Sequence, residues 1–348
     1  MSSLRITHVV RSDSFAGVER YITDVAAELA GRGHEVSVIG GDPDLVRGSL
    51  PAQVRHRAAA TTREVVAALI AGGRQDVVHA HMSAAELAAV VTRPLHGAPV
   101  VATRHFAGRR GHSPASRAVT RGVARGLSLE IATSDFVADK SGPGSVVLHH
   151  GVASQPEGSH RDRTVLVMQR FEPEKDTDIA LRAFATSGLQ EEGWRLQLAG
   201  RGSLLEAMRV LAGELHLDVE FLGFVPDPRA VLASAGILLA PTPVEAFGFT
   251  VVEAMAVGLV VVAANGGAHV ETLGPGAFLF PPRDVTEAAA LLSQLAVNAD
   301  LRASTGSTLR KRQQKLFTVS GHVEALLWQY GALHATRLSP WKWCNSGP

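Results

Sequence analysis

The sequence predicts an α/β protein of two doubly wound, Rossmann-like domains, and three observations lead to that prediction. Short β-branched runs alternate with longer helical patterns from residue 4 onward, which is the signature of βαβ units and parallel sheets. A polar, breaker-rich segment at 154–163 interrupts this series, which then begins again. A chain of 348 residues, 46% of them hydrophobic, is long enough for two domains with substantial cores.

The first predicted domain, 1–153, contains six strands with helices between them. The strands are predicted at 6–10, 36–39, 77–80, 100–103, 129–133 and 146–148. The helices are predicted at 17–30, 63–71, 84–91 and 115–125. Six strands with intervening helices make one doubly wound domain.

The second predicted domain, 164–318, follows the linker at 154–163. Its strands are predicted at 165–169, 195–199, 219–222, 237–240, 260–264 and 277–280. Its helices are predicted at 176–185, 203–215, 228–234, 250–257, 286–296 and 301–315. Two tandem domains of this kind imply a cleft bounded by strand carboxyl ends, where ligands bind in such sheets.

The chain ends in an amphipathic helix and a tail without pattern. The helix is predicted at 319–335, with Val323, Leu326 and Tyr330 on one apolar stripe. The tail, 336–348, is predicted to be mobile, although Trp341 and Trp343 could mark a contact surface.

Composition excludes several classes of protein. The formal net charge of +1 argues against a nucleic-acid partner. The single cysteine, Cys344, excludes an intrachain disulfide and fits a reducing cytoplasm, so we expect a cytoplasmic protein. The N-terminus reads as a first strand without a secretory signal, and the longest apolar stretch, 254–264, is short of the ~20 residues that cross a bilayer. The sequence makes no prediction of oligomeric state.

The segment 245–253 is the densest in candidate chemistry. Glu245 and Glu253 lie eight positions apart, with prolines upstream and Gly248 between them, so Glu245 is predicted in a loop and Glu253 in the following helix. Two carboxylates placed in this way could bind two parts of one ligand near the exposed N–H groups at the start of a helix. The alternative is an acid that interacts with the helix dipole and an ordinary surface glutamate, and spacing alone does not decide between them.

Two further strand ends offer phosphate-binding candidates. Gly17 follows the first strand, where a Rossmann domain holds phosphate, but G-x-G-x-x-G is missing, so a nicotinamide dehydrogenase is disfavoured and a simple tight turn stays open. Arg170 and Lys175 follow the first strand of the second half and could hold a diphosphate without metal. They could instead pair with Glu172 and Glu174 at the surface.

Histidines and arginines of the first half are further candidates for binding residues. His79 and His81 have metal-ligand spacing, but no third ligand is evident, so a metal site is disfavoured. His105 could donate a hydrogen bond to a sugar or phosphate oxygen. An acid-free region carries six arginines, at positions 104, 109, 110, 117, 121 and 125. Arg117, Arg121 and Arg125 form a helical stripe that could attract an anionic acceptor or a membrane surface, although a solvated face is favoured.

Together these residues resemble the retaining glycosyltransferases of family 4, which have the GT-B fold, over nearly the whole chain. Glu245 to Glu253 match the E-x7-E motif of that family, with Gly266, Gly267 and Glu271 behind it. Arg170 and Lys175 resemble its diphosphate-binding pair, Gly200 to Gly202 its G-x-G turn, Phe221 to Val225 its base-proximal strand end, His105 its active-site histidine and Gly17 its N-terminal loop glycine. Departures are Ala16, Gln169 and Asp176, which replace glycines, and His150, which replaces an asparagine.

The resemblance implies a metal-independent, retaining transferase without a cofactor. Its donor would be a nucleotide-diphosphate sugar, with a UDP-sugar favoured over a GDP-sugar, and its acceptor a small molecule or a lipid-linked one. It implies catalytic roles for His105, Arg170, Lys175 and Glu245. It also implies donor contacts from Gly17, Arg170, Lys175, Gly202, Val225, Glu245, Ala246, Phe247, Gly248, Phe249, Thr250 and Glu253.

By the same resemblance, Glu245 holds a sugar hydroxyl, Glu253 holds the ribose, and the helix at 319–335 crosses back to the first domain. Same-face attack would need no enzyme nucleophile. A GT-B epimerase or phosphorylase and a non-catalytic nucleotide-sugar binder are the alternatives. The residues do not choose between an envelope glycolipid and a natural product as acceptor.

Overall fold

The computed structural model describes residues 3–108, 113–141, 144–159 and 162–338, which divide into two compact units. The first unit runs to His150 and resumes with the helix that begins at Val319, and the second is Gly151–Thr318. Each unit has its own parallel sheet. Several residues singled out in the sequence lie outside the described residues, namely Arg109, Arg110, Trp341, Trp343 and Cys344.

The first unit alternates strands and helices along the chain. In order it contains β1 (Arg5–Val10), α1 (Gly17–Gly31), β2 (Glu35–Ile39), α2 (Pro43–Ser49), β3 (Arg55–Arg57), α3 (Thr62–Ala71), β4 (Val77–His81), α4 (Ser83–His96), β5 (Val100–Arg104), α5 (Pro114–Gly126), β6 (Leu129–Ala132), α6 (Asp135–Ser141) and β7 (Ser145–Val147). The last helix of the chain, which we number α14 (Val319–Leu338), also belongs to this unit and packs on α1.

The sheet of the first unit has the order β3-β2-β1-β4-β5-β6-β7, and its paired strands are parallel. The order reverses between β1 and β4, where His8 pairs in register with His79. The core between this sheet and helices α3 and α4 is built from apolar side chains such as Val9, Val65 and Val78.

The second unit repeats the architecture with six strands. In order it contains β8 (Thr164–Met168), a 3-10 turn (Pro173–Lys175), α7 (Thr177–Ser187), β9 (Arg195–Ala199), α8 (Leu205–Glu214), β10 (Val219–Gly223), α9 (Arg229–Ser234), β11 (Ile237–Ala240), α10 (Phe249–Val257), β12 (Val261–Ala264), α11 (His269–Leu273), β13 (Phe278–Phe280), α12 (Val285–Val297) and α13 (Ala299–Leu316). Its sheet has the order β10-β9-β8-β11-β12-β13.

Local sequence explains where several helices begin and end. Thr61 caps α3 by accepting a hydrogen bond from the Glu64 N–H. Glycines with positive φ bound α10, because Gly248 at +87° precedes it and Gly258 at +80° ends it. A Cβ at Gly306 of α13 would collide with the Gly258 carbonyl group, so small residues let α13 pack closely on α10.

The predicted fold class is confirmed, since every predicted strand is present in two parallel α/β sheets. Four short elements were missed: β3, α2, α6 and α11. The three residues of β3, Arg-His-Arg, carry no β-branched side chain, and the missed helices are only five to seven residues long. A helix of this length makes at most about two turns, too few for the apolar repeat on which the prediction depends to show.

Candidate functional site

The carboxyl edge of the second sheet brings the main candidate residues together. The strand order reverses between β8 and β11, because β8 continues to β9 on one side while β11 continues to β12 on the other. The crevice at such a switch point is the usual ligand position in an open parallel sheet. Arg170 and Lys175 lie in the loop after β8, Glu245 lies in the loop after β11, and Glu253 lies one turn into α10.

Lys175 and Glu245 form an ion pair across this switch point. Lys175 Nζ lies 2.8 Å from Glu245 Oε2, with the two side chains 17% and 20% exposed. The 3-10 turn ends at Lys175, and a parallel bridge to Gly267 fixes the backbone of Glu245. The Ala246 N–H donates to Glu245 Oε1 at 3.1 Å. Two residues 70 positions apart therefore meet at the edge where ligands bind.

The surroundings keep Glu245 ionised. Burial alone would raise the pKa of Glu245, but the Lys175 ammonium and its hydrogen bond outweigh burial, so the pKa lies below its usual value. His269, which the sequence analysis missed, faces the same carboxylate, and burial is the main cause that lowers the pKa of this imidazole. His269 Nδ1 lies 3.0 Å from the Ala264 carbonyl oxygen, to which only an N–H can donate. The sequence feature that could have pointed to His269 is its position just after Gly266 and Gly267.

Two residues that depart from the family pattern hold the Lys175 loop. The Gln169 amide donates to the Lys175 carbonyl and to Thr177 Oγ1, both at 2.9 Å, and accepts from Thr242 Oγ1 at 2.9 Å. Asp176 has a φ of +46° and a carboxylate that accepts from Arg283 at 2.7 and 3.3 Å. A glycine, which Gln169 and Asp176 replace, has no side chain that could make these hydrogen bonds.

Replacing Asp176 by alanine should lower the stability of the second unit by about 1–2 kcal/mol, because the charged hydrogen bonds to Arg283 are lost. The Asp176→Gly variant should lose less, since glycine adopts the positive φ without strain. Urea-unfolding midpoints of the two variants test this order. A glycine variant that is as unstable as the alanine variant would contradict the role assigned to the backbone conformation.

Arg170 is bound more loosely than Lys175. Its guanidinium donates to Glu174 Oε1 at 2.7 Å, and both side chains are more than half exposed. Glu172 instead accepts from the Ser203 N–H and hydroxyl at 3.2 and 2.6 Å. The surface pairing considered for both cations is therefore found for Arg170 alone. An exposed pair of this kind holds little free energy, so a ligand can displace Glu174 easily.

Glycines shape the neighbouring strand ends. A Cβ at Gly202 would collide with the backbone of Phe171, so the turn after β9 lies directly on the loop after β8. The Leu204 N–H donates to the Phe171 carbonyl at 2.9 Å. Val225, next along the sheet edge, is partly buried against the hydrophobic core. The predicted donor residues Gly202 and Val225 therefore line the same edge as Lys175.

The start of α10 carries the remaining residues of the 245–253 segment. Gly248 precedes the helix and, as a glycine, has no side chain that could cap its first N–H groups. Phe247 is 3% exposed and packs against Phe249 and Phe317, so its ring has a structural role. Ala246, Phe249, Thr250 and Glu253 are partly buried around this helix start.

The other predicted site residues lie in the first unit. Gly17 begins α1, and Glu19 Oε2 accepts from the Ala16 N–H at 2.9 Å at this turn. His105 directly follows β5 and is 9% exposed. Both of its ring nitrogens already have imidazole neighbours, His81 at 3.0 Å and His150 at 3.3 Å. A sugar oxygen that binds His105 must therefore displace one of these two rings.

The structure supplies a third histidine beside His79 and His81. His8 on β1 offers a ring nitrogen within 4.8 Å of a nitrogen of each. This third ligand is not evident from the sequence because His8 lies about 70 positions away and meets β4 only in the folded sheet. The His79 ring, however, already contacts the Tyr330 hydroxyl at 2.6 Å and the Thr103 hydroxyl at 2.7 Å.

Arg117, Arg121 and Arg125 are exposed on α5, whereas Val123 on the same helix is buried. Arg104 is instead buried, and its guanidinium donates to the Gly108 carbonyl at 2.6 Å and lies 3.8 Å from Glu130. The stripe therefore consists of the three helical arginines, with no contribution from Arg104.

A cavity of about 460 Å³ opens between β1–β3 and α3 of the first unit, lined by Arg5, Ser37 and Arg74 among others. None of the predicted site residues lines it. We therefore take the Lys175–Glu245 ion pair of the second unit, whose geometry is fixed, as the candidate site in preference to this cavity. Within the described ranges, no helix has the length and hydropathy of a membrane-spanning segment.

Two family models match the chain. One, described as Glycosyl transferases group 1, matches residues 153–312. The other, described as Glycosyltransferase Family 4, matches residues 15–142. The first match contains Arg170, Lys175, Glu245 and Glu253, and the second contains Gly17 and His105.

Relatives and solved structures agree with these matches. The phosphatidyl-myo-inositol mannosyltransferase of Mycolicibacterium smegmatis is 30% identical over 82% of this chain and 83% of that protein. The exopolysaccharide phosphotransferase SCO2592 of Streptomyces coelicolor is 31% identical over 47% of this chain, but the match spans only 19% of that protein. The crystal structure of Anabaena HepE with UDP and glucose has a TM-score of 0.81 at 21% identity and covers 94% of this chain and 100% of that one. At that identity the structural likeness shows the fold alone.

Proposed function

Because this chain belongs to the family 4 glycosyltransferases of the GT-B fold and is an enzyme that transfers sugars, we propose that it uses a nucleotide-diphosphate sugar, retains the anomeric configuration and needs no metal. The observation that supports this proposal most is the Lys175–Glu245 pair at the switch point of the second sheet. It combines a cation for a diphosphate with a carboxylate for a sugar hydroxyl.

Lys175 can serve the leaving group without giving up Glu245. An ammonium has three N–H donors, and Glu245 Oε2 occupies one of them. As the glycosidic C–O bond breaks, negative charge grows on the diphosphate oxygens. Lys175, Arg170 and the N–H groups at the start of α10 stabilise this charge, and each preorganised donor contributes about 3 kcal/mol in comparable sites. These donors take the place of a divalent cation.

Glu245 and Glu253 then hold two parts of one donor. Glu245 accepts a hydrogen bond from a sugar hydroxyl, and Glu253, one turn into α10, accepts from the ribose hydroxyls. In this scheme no carboxylate acts as a nucleophile. Attack of the acceptor hydroxyl on the same face, with its proton passing to the leaving phosphate oxygen, keeps the anomeric configuration.

The relative named as a phosphatidyl-myo-inositol mannosyltransferase suggests the first substrates to try. Transfer from GDP-mannose and from UDP-glucose should be measured with phosphatidylinositol vesicles and with free inositol, in the presence of EDTA. NMR of the product gives the anomeric configuration. An inverted product, or activity that EDTA abolishes and Mg²⁺ restores, would overturn the retaining, metal-free mechanism. Nucleotide release that does not require an acceptor would favour an epimerase.

Replacing Glu253 by alanine should lower kcat/KM for the nucleotide sugar by about 10- to 100-fold, since a hydrogen bond to a charged group contributes about 1.5–3 kcal/mol. Calorimetric titration with the preferred nucleoside diphosphate should show the matching loss of affinity. Glu287→Ala, an exposed acid of α12, is the matched control. Unchanged affinity in Glu253→Ala would remove Glu253 from the donor site.

A further inference from the structure

The cavity between β1–β3 and α3 of the first unit has the size and the charge of a binding site. Its volume is about 460 Å³, within the range that small molecules occupy in proteins. The lining includes the first residues of β1 and β2, the last turn of α3 and the loop before β4. The cavity therefore reaches the amino edge of the first sheet, opposite the carboxyl edge that carries His105.

The floor of the cavity is a polar patch on the sheet. Thr7, Ser37 and Arg55 pair in register across β1, β2 and β3, so their side chains form one row on one face. The next row on that face contains Ile39 and Arg57, because side chains two positions apart on a strand share a face. Hydroxyl and guanidinium groups therefore stand side by side where a helix packed on the sheet would require apolar side chains.

The lining of the cavity is electropositive. Its four arginines are Arg5 on β1, Arg55 and Arg57 on β3, and Arg74 in the loop before β4. Glu35 is the one acid among the described residues that line it, so the lining has a formal net charge of +3 with histidine neutral. The charge is still +2 when Asp76, which lies 3.5 Å from Arg5 Nε, is counted. The carbonyl end of α3 adds only about half a negative charge.

These arginines are available to a ligand. In the part of the chain that the structure describes, neither Arg57 nor Arg74 has a carboxylate within 4.0 Å. Arg55 Nη2 lies 3.6 Å from Glu35 Oε2, and both of these side chains are more than half exposed. An exposed pair of this kind contributes little free energy, so an incoming anion can replace Glu35 at Arg55.

The loop that carries Arg74 is held in place by hydrogen bonds. Thr7 Oγ1 donates to Gln75 Oε1 at 3.0 Å, and Gln75 Nε2 donates to the Gly72 carbonyl at 2.8 Å. On the other side, Asp76 accepts from the backbone N–H of Arg5 at 2.9 Å. Because this backbone is already ordered, a ligand of Arg74 does not have to order it on binding.

Protection of the sheet edge is the simpler explanation for part of this charge. β3 is the edge strand, and charged side chains on edge strands prevent pairing with another chain. Edge protection accounts for Arg55 and Arg57. It does not account for Arg74, which lies on another element, lines the same cavity and has no carboxylate nearby among the described residues.

We propose that this cavity binds an organic phosphate monoester, at a site separate from the donor site of the second unit. A phosphate monoester carries about two negative charges at neutral pH, and the planar guanidinium of arginine matches its oxygens. Arg57 and Arg74 supply two such groups, and the Ser37 hydroxyl lies beside them. Ala68 and Leu69 of α3 form an apolar wall against which a carbon skeleton can pack, which favours an organic phosphate over a bare ion.

Calorimetric titration of the full chain with glucose 6-phosphate tests the proposal, with glucose as the uncharged control. We expect saturable binding of glucose 6-phosphate, but not of glucose, at one site that persists in the Lys175→Ala variant. Binding that disappears in Lys175→Ala would place the phosphate in the donor site and overturn the proposal. Because sugar transfer is not measured, failure of the proposed function is recognised separately.

The variant Arg57→Gln with Arg74→Gln removes both guanidinium groups that lack a carboxylate partner and keeps polar side chains. It should weaken glucose 6-phosphate binding about 10- to 100-fold, because hydrogen bonds to a charged group are lost. Arg63→Gln changes an exposed arginine of α3 outside the cavity and is the matched control. Unchanged binding in the double variant, or an equal loss in the control, would contradict the proposal.

A lipid headgroup can carry the same phosphate monoester. Co-sedimentation with phosphatidylcholine vesicles, with and without phosphatidic acid, distinguishes this source from a soluble one. Vesicle binding that requires phosphatidic acid together with Arg57 and Arg74, without binding of free glucose 6-phosphate, would assign the cavity to a lipid phosphate. Binding of neither probe would show that the arginines are only a solvated edge of the sheet.

Discussion

Replacing Lys175 by alanine should lower the rate of sugar transfer by about 10²- to 10³-fold, the usual effect of removing one preorganised donor to a developing oxyanion. The ammonium is held by Glu245 at 2.8 Å, and the Gln169 amide donates to the Lys175 carbonyl, so the charge has a fixed position. The change also leaves the partly buried Glu245 carboxylate without its cation. Initial rates of transfer from the preferred nucleotide sugar, at saturating acceptor, measure the effect.

Two controls make the Lys175 result specific. Lys311→Ala removes an exposed lysine of α13 in the same unit and should leave the rate unchanged. The double variant Lys175→Ala with Glu245→Gln should recover stability lost in the single variant, because the uncompensated carboxylate is gone, but it should not recover the rate. Near-native transfer by folded Lys175→Ala would remove Lys175 from the reaction.

Lowering the pH from 7.5 to 5.5 should destabilise the first unit by several kcal/mol. Six buried histidines cluster in the first unit, namely His8, His79, His81, His105, His150 and His322. Burial lowers their pKa values, so they stay neutral in the folded unit, while unfolded histidine titrates near pH 6.5. Between pH 6.5 and about 4 the unfolded chain therefore binds more protons, so acid favours unfolding. Each such histidine contributes about 1 kcal/mol per pH unit.

Thermal unfolding of the full chain, followed at several pH values, measures this effect. The transition of the first unit should shift to lower temperature as the pH falls below 6.5. The His216→Asn variant, which replaces an exposed histidine of the second unit outside the cluster, provides the control. A transition temperature that is constant between pH 7.5 and 5.5 would show that the cluster is charged or solvated in the folded protein.

The sequence predicted the two parallel sheets because many of their strands are short, largely apolar runs, such as Val261–Ala264, whose side chains are all buried. It missed β3 because Arg55–Arg57 is a polar edge strand that pairs on one side only. An apolar pattern arises where side chains are buried, so an edge strand whose side chains are not buried does not show one.

The sequence named candidate residues for the site, but it could not predict the contacts between them. Lys175 and Glu245 each stood at a predicted strand end, but their direct ion pair depends on β8 and β11 being neighbours in the sheet. The hydrogen bonds of the Gln169 and Asp176 side chains could not be predicted for the same reason. The ring contacts that join His8, His81, His105 and His150 connect β1, β4 and the segments after β5 and β7, which no local sequence pattern links.

We propose that the second unit binds a nucleotide-diphosphate donor through its own side chains and backbone, without metal. Calorimetric titration of UDP and GDP into the full chain in the presence of EDTA can detect this binding. We expect one of the two nucleotides to bind at one site per chain with EDTA present, and added Mg²⁺ to leave its affinity unchanged. Binding that appears only after Mg²⁺ is added, or no binding of either nucleotide under both conditions, would contradict the claim.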